Sequence, residues 1–127
     1  MPTSKRAAPK AKLCWKDLDR EEFNHSKEEE NMKPLTVVAT LKAKPGLEKK
    51  LGDILKTLVA PTHAEKGCLN YDMHESDVEP GTFVFHENWA TRADWEAHMK
   101  APHLVKFAAM QADLAESWTL FSGHKVS

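Results

Sequence analysis

The segment from Phe83 to Met99, FVFHENWATRADWEAHM, gathers aromatic rings, imidazoles and carboxylates in one short run. Phe83, Phe85, Glu87 and Trp89 fall on alternate positions, so one face of an extended chain carries three rings and an acid. His98 follows close behind. An imidazole titrates near 6.5, so His98 needs little tuning to serve as a general base at neutral pH. An inward Glu87 carboxylate needs a partner, and is expected to orient a histidine or to bond a buried group. His98, Trp89 and Glu87 are therefore the candidate catalytic group. Tyr71, Met73, Phe83 and Phe85 are candidate walls of a flat apolar slot. Asn88 is a further polar contact, and His63, just after Pro61, is expected near the slot's mouth.

Other site chemistries lack their residues. There is no CxxC, GxGxxG, P-loop or GxSxG. His98 and His103 stand five apart with Pro102 between them, a spacing that does not put both on one helical face. Asp72, His74 and His86 form the one metal-like grouping, and solvated or interface side chains are the expected reading of it. No metal ligands and no cofactor are assigned.

The elements that would position these residues follow from periodicity. LTVVATLKA, 35–43, is rich in β-branched residues and ends at KPG, as a strand does. Leu47, Leu51, Ile54, Leu55 and Leu58 have helical spacing, which predicts an amphipathic helix from Leu47 to Ala60, stopped or kinked at Pro61. CLNYDMHES, 68–76, alternates, with Leu69, Tyr71 and Met73 facing one way and Asn70, Asp72 and His74 the other. DVEPG is turn chemistry, and TFVFHENW, 82–89, completes a hairpin. Thr91 is an expected N-cap for RADWEAHMK, and Pro102 ends that helix. HLVKFAAMQADLAE reads as another helix, and Trp118 to Phe121 as a last strand. The order β-α-β-β-α-β predicts a ferredoxin-like α+β fold, helices on one face of an antiparallel sheet.

Such a sheet leaves its second face bare. The chain has 127 residues, and a domain this small is helped by association. Two sheets pairing face to face across a twofold axis would cover both. The formal net charge of −1 argues against nucleic acid as partner. No apolar run approaches the roughly 20 residues that span a bilayer. With no secretory signal and two cysteines, Cys14 and Cys68, in separate regions, a cytoplasmic protein with free thiols is expected. Residues 1–33 differ in composition from 34–127: Lys5, Arg6, Lys10 and Lys12 precede the acids of DLDREEF and KEEEN. They are expected to form a charged extension, disordered or a docking arm using Trp15 and Phe23.

PTHAEKGCLNY at 61–71 and FHENWATRADWEAHM at 85–99, followed by PHLVKF, resemble the antibiotic biosynthesis monooxygenase (ABM) domain, most of all its quinol monooxygenase branch. The matching elements are Pro61-Thr62, Gly67-Cys68, Tyr71, Glu87-x-Trp89 and His98, within residues 34–124. The resemblance implies a dimeric α+β barrel and oxygenation of electron-rich aromatics by O₂ without metal or flavin. In such chemistry the protein supplies a slot, a base and polar groups for the ring oxygens. Polyketide-oxidising members carry asparagine at the position of Phe85, so a simple quinol is expected over a tricyclic substrate. Haem-degrading relatives place their axial histidine at Ala108, their catalytic asparagine at Ala39 and their pocket tryptophan at His98, which argues against that reaction here. Two alternatives stay open: a non-catalytic small-ligand-binding dimer, and an isomerase or lyase acting on a small oxygenated metabolite.

Overall fold

The computed structural model describes residues 33–127. The expected docking arm lies outside the described residues. Strand β1 (Leu35–Ala43) opens the fold, followed by helices α1 (Glu48–Lys56) and α2 (Val59–His63). Strands β2 (Cys68–Glu75) and β3 (Thr82–Trp89) form the hairpin. Helices α3 (Arg92–Met99) and α4 (Pro102–Leu114) lead into β4 (Ala115–Gly123). The four strands make one sheet in the order β2-β3-β1-β4, and every neighbouring pair is antiparallel. This is the expected ferredoxin-like α+β architecture.

Leu35, Val37, Leu41, Tyr71, Phe83, Phe85 and Trp89 are buried on the sheet face that meets the helices. From α1, Leu51 and Leu55 complete that core. Gly52 lets α1 come close to the sheet: a Cβ there would stand 2.9 Å from the Phe83 ring. Among the described residues no helix is long and apolar enough to cross a membrane.

Three local expectations are corrected. The single helix to Ala60 is two helices with a break at Thr57 and Leu58. Pro61 has no N–H to reach back to Thr57 and its ring would crowd that carbonyl. Thr57 and Leu58 bond instead to Ile54 and Leu55 in tighter turns, and Pro61 falls in the first turn of α2, where it is tolerated. Leu69 does not share a face with Tyr71. The β2–β3 register shifts between Cys68 and Asn70, and this irregularity leaves Leu69 59% exposed. The last strand runs well beyond Trp118–Phe121 at both ends, because α4 passes directly into extended backbone at Ala115.

Candidate functional site

His98 is carried by α3. Its N-cap, Thr91, is extended, and its hydroxyl accepts the Asp94 N–H at 3.1 Å. Trp95 and His98 lie three residues apart on the inner face of this helix, 1% and 2% exposed. The helix ends at Met99, and Ala101, which precedes Pro102, has ψ 149°, the extended backbone that a following proline favours. Pro102 then opens α4 at its first position. The chain turns there, and His103 swings back until its ring centroid is 6.2 Å from that of His98.

Glu65 reaches the same point from the loop between α2 and β2. It follows α2, where its N–H bonds the Thr62 carbonyl at 2.9 Å. Gly67, at φ +80°, turns the chain into β2, and its carbonyl accepts the Ala90 N–H at 2.8 Å. That bond ties the loop to the end of β3. A Cβ on Gly67 would collide with the Asp94 side chain, so glycine serves both the turn and the close approach to α3.

Glu65 Oε2 lies 3.0 Å from His98 Nδ1 and 2.8 Å from His103 Nε2. Thr62 Oγ1 lies 3.1 Å from the same His103 nitrogen. A carboxylate oxygen accepts, so both imidazoles donate to it. His98 then carries its proton on Nδ1 and leaves the Nε2 lone pair open. Burial holds His98 below the ordinary imidazole value, while the hydrogen bond and charge of Glu65 pull it back up. The imidazole is therefore neutral at pH 7 and competent as a base.

Around His98 stand the rings. The Trp89 ring centroid is 4.7 Å away at 36°, and the Tyr71 ring lies edge-on at 5.5 Å. Tyr71 stacks on Phe85 at 4.8 Å. Glu87 Oε1 accepts the Trp89 indole N–H at 2.9 Å. Burial pushes the Glu87 carboxyl up to about 7, the indole bond opposing and the Glu65 charge adding to it. Burial likewise raises the Tyr71 hydroxyl, helped by the Glu87 and Glu65 charges.

The structure thus brings His98, Trp89, Tyr71, Phe85 and Glu87 together on one face. Phe83 packs under α1, and Met73 stands opposite Phe85 in register, half-buried. His63 is exposed, its Nε2 3.0 Å from the Tyr71 carbonyl oxygen. Asn88 lies on the other face of the sheet, where it accepts from Thr36 at 2.6 Å and donates to Asn70 at 2.8 Å. Tyr71, Phe85, Trp89 and His98 are each at most 3% exposed. The expected slot is packed by its own side chains, with His98 turned inward.

Glu65, His103 and Thr62 were not legible as site residues. The spacing of His98 and His103 suggested separation, yet a helix break at Pro102 joins them. Asp72, His74 and His86 are exposed, in keeping with solvated side chains; they are not the one metal-like grouping, since the ligating atoms of Glu65, His98 and His103 all lie within 4.8 Å of one another.

The chain is 30% identical over 81 residues to the Synechocystis protein sll1783, covering 64% of this chain and 55% of that one. It is 27% identical over 93 residues to the Escherichia coli protein named "Probable quinol monooxygenase YgiN", covering 65% and 89%. The solved structure of PA3566 from Pseudomonas aeruginosa superposes with a TM-score of 0.73 at 32% identity, over 76% of this chain and 98% of that one. Residues 34–110 match the family model described as antibiotic biosynthesis monooxygenase, and the chain belongs to that family.

Proposed function

We propose that this protein is a monooxygenase that oxidises a quinol-type or similarly electron-rich aromatic with O₂, the substrate supplying the electrons. The observation that carries this reading is the buried His98, held by Glu65 at 3.0 Å and packed against the tilted Trp89 ring at 4.7 Å. Family membership and the name of the E. coli relative support the reaction class.

In this reading the His98 Nε2 lone pair takes the proton of a quinol hydroxyl, and the Glu65 carboxylate stabilises the imidazolium. The quinolate passes one electron to O₂. The resulting semiquinone and superoxide combine at a ring carbon to give a hydroperoxide. Loss of water leaves a hydroxyquinone, so one oxygen atom stays on the ring and the other leaves as water. Trp89 and Phe85 wall the site from β3, and Glu87 fixes the indole. Because these side chains fill the site, substrate entry requires some of them to move aside.

The homodimer belongs to the same proposal. The sheet face away from the helices bears a groove of about 820 Å³, lined by Thr36, Leu69, Asn70, His86, Asn88 and Phe121 among others. Leu69 and Phe121 are 59% and 58% exposed, and a second copy packed there would cover them. A cytoplasmic location and the extension role of residues 1–33 are further proposals, on sequence grounds alone.

The test is an O₂-uptake screen over hydroquinones, naphthoquinols and anthrones, with metal and flavin assayed alongside. Uptake with a quinol supports the reading. Anaerobic conversion of a substrate would point to isomerase or lyase chemistry, and ligand affinity with no turnover to a binding protein.

A further inference from the structure

The cluster that steadies His98 has a second chemistry open to it. Glu65 Oε2, His98 Nδ1 and His103 Nε2 converge, with separations of 3.0 and 2.8 Å about the carboxylate oxygen. Among the described residues it is the one group of three such side chains whose ligating atoms gather within 4.8 Å. Zinc takes imidazole nitrogen and carboxylate oxygen at about 2.0–2.2 Å, so its tetrahedral ligands stand roughly 3.3 Å apart. The two short contacts need to open by roughly 0.3–0.5 Å, and the His98–His103 edge, at most 4.8 Å, to close toward roughly 3.3 Å, within the reach of side-chain rotation.

The three ligands come from the α2–β2 loop, the last turn of α3 and the first turn of α4, each fixed by the backbone described above. His98 ligates from within. The Glu65 and His103 side chains are 17% and 20% exposed, so the cluster has a wet side for ion entry and for a water as fourth ligand. Two histidines, one carboxylate and an open position make an accessible zinc site.

We propose that Glu65, His98 and His103 form a divalent-cation site of zinc type, and that its occupation turns the base off. A neutral imidazole that ligates through Nδ1 carries its one proton on Nε2. That is the atom whose lone pair would accept the quinol proton. Metal binding displaces the protons now shared with Glu65, so the hydrogen-bonded and metal-bound states exclude each other. The binding site stands on geometry alone, while the switching role rests on His98 being the base.

Metal-free full-length protein is titrated with Co²⁺ and followed by its visible absorption, then back-titrated with Zn²⁺. The expected result is an intense low-coordinate spectrum saturating at one ion per chain, bleached by Zn²⁺, and lost in both Glu65→Gln and His103→Ala. Circular dichroism confirms that each variant is folded. A pale six-coordinate spectrum in the native protein overturns the site, as does a native spectrum surviving in both variants. Long-range ¹⁵N spectra read the switch without any substrate. The His98 proton should move from Nδ1 to Nε2 when Zn²⁺ saturates the protein, and retention on Nδ1 overturns it. Neither readout depends on turnover, so failure of the quinol reading shows separately, in the O₂ screen.

Discussion

His98 Nδ1 and Glu65 Oε2 meet at 3.0 Å across 33 residues of sequence. The contact sets the imidazole tautomer and directs its open lone pair away from the carboxylate. Glu65→Gln keeps an acceptor oxygen but removes the charge that lifts His98 toward its ordinary value. The His98 pKa should fall further, moving the acid limb of the rate profile to lower pH. Loss of imidazolium stabilisation should lower kcat by roughly tenfold or more. A pH profile of kcat/KM checks both, and an unshifted limb counts against the pairing.

Glu87 links the site to stability. Its folded value, about 7, is raised from 4.5 by burial, so the folded chain holds a proton that the unfolded chain releases. This stabilisation is fully present below about pH 4.5 and is lost as pH rises through 7. His98 acts oppositely: its lowered value contributes stability above its unfolded value of about 6.5 that is lost on acidification. Glu87→Gln keeps the indole acceptor and isolates the first effect. From pH 4.5 to 8, the native chain should lose on the order of 2–3 kcal/mol relative to this variant. Urea unfolding at the two pH values measures it, and parallel behaviour would contradict it.

Gly67→Ala puts a Cβ at φ +80° and against Asp94. Strain of this kind costs about 2 kcal/mol or more, and the loop bearing Glu65 should shift with it. Both the denaturant midpoint and turnover should drop. An unchanged midpoint would mean the loop is not anchored as described.

Phe121→Arg places a charge on the outer sheet face opposite Val38 in register. If two copies pair there, burying an unmatched guanidinium should drive the protein to monomer. Sedimentation equilibrium reads the result, and an unaltered dimer places the interface elsewhere.

Much of the fold was legible because burial leaves a period. Phe83, Phe85, Glu87 and Trp89 alternate, Leu51 and Leu55 recur at helical spacing, and Thr91 announces α3 by its side chain. Leu69 escaped because a register shift breaks alternation without changing residue types. On the site, His98, Glu87 and Trp89 could be singled out from their chemistry and order. Glu65 and His103 could not. Glu65 sits in a short loop with no periodic marker, and its partner is distant in sequence. The helix break that joins His103 to His98 depends on the turn before Pro102, which residue spacing does not encode.

The central claim is that His98 accepts the substrate's proton. The most direct measurement is O₂ consumption with a reduced quinol by metal-free native protein and by His98→Gln, each shown folded by thermal melting. Steady uptake is expected of the native chain, and a loss of at least roughly 10²-fold in the variant. Equal rates in the two proteins would contradict it.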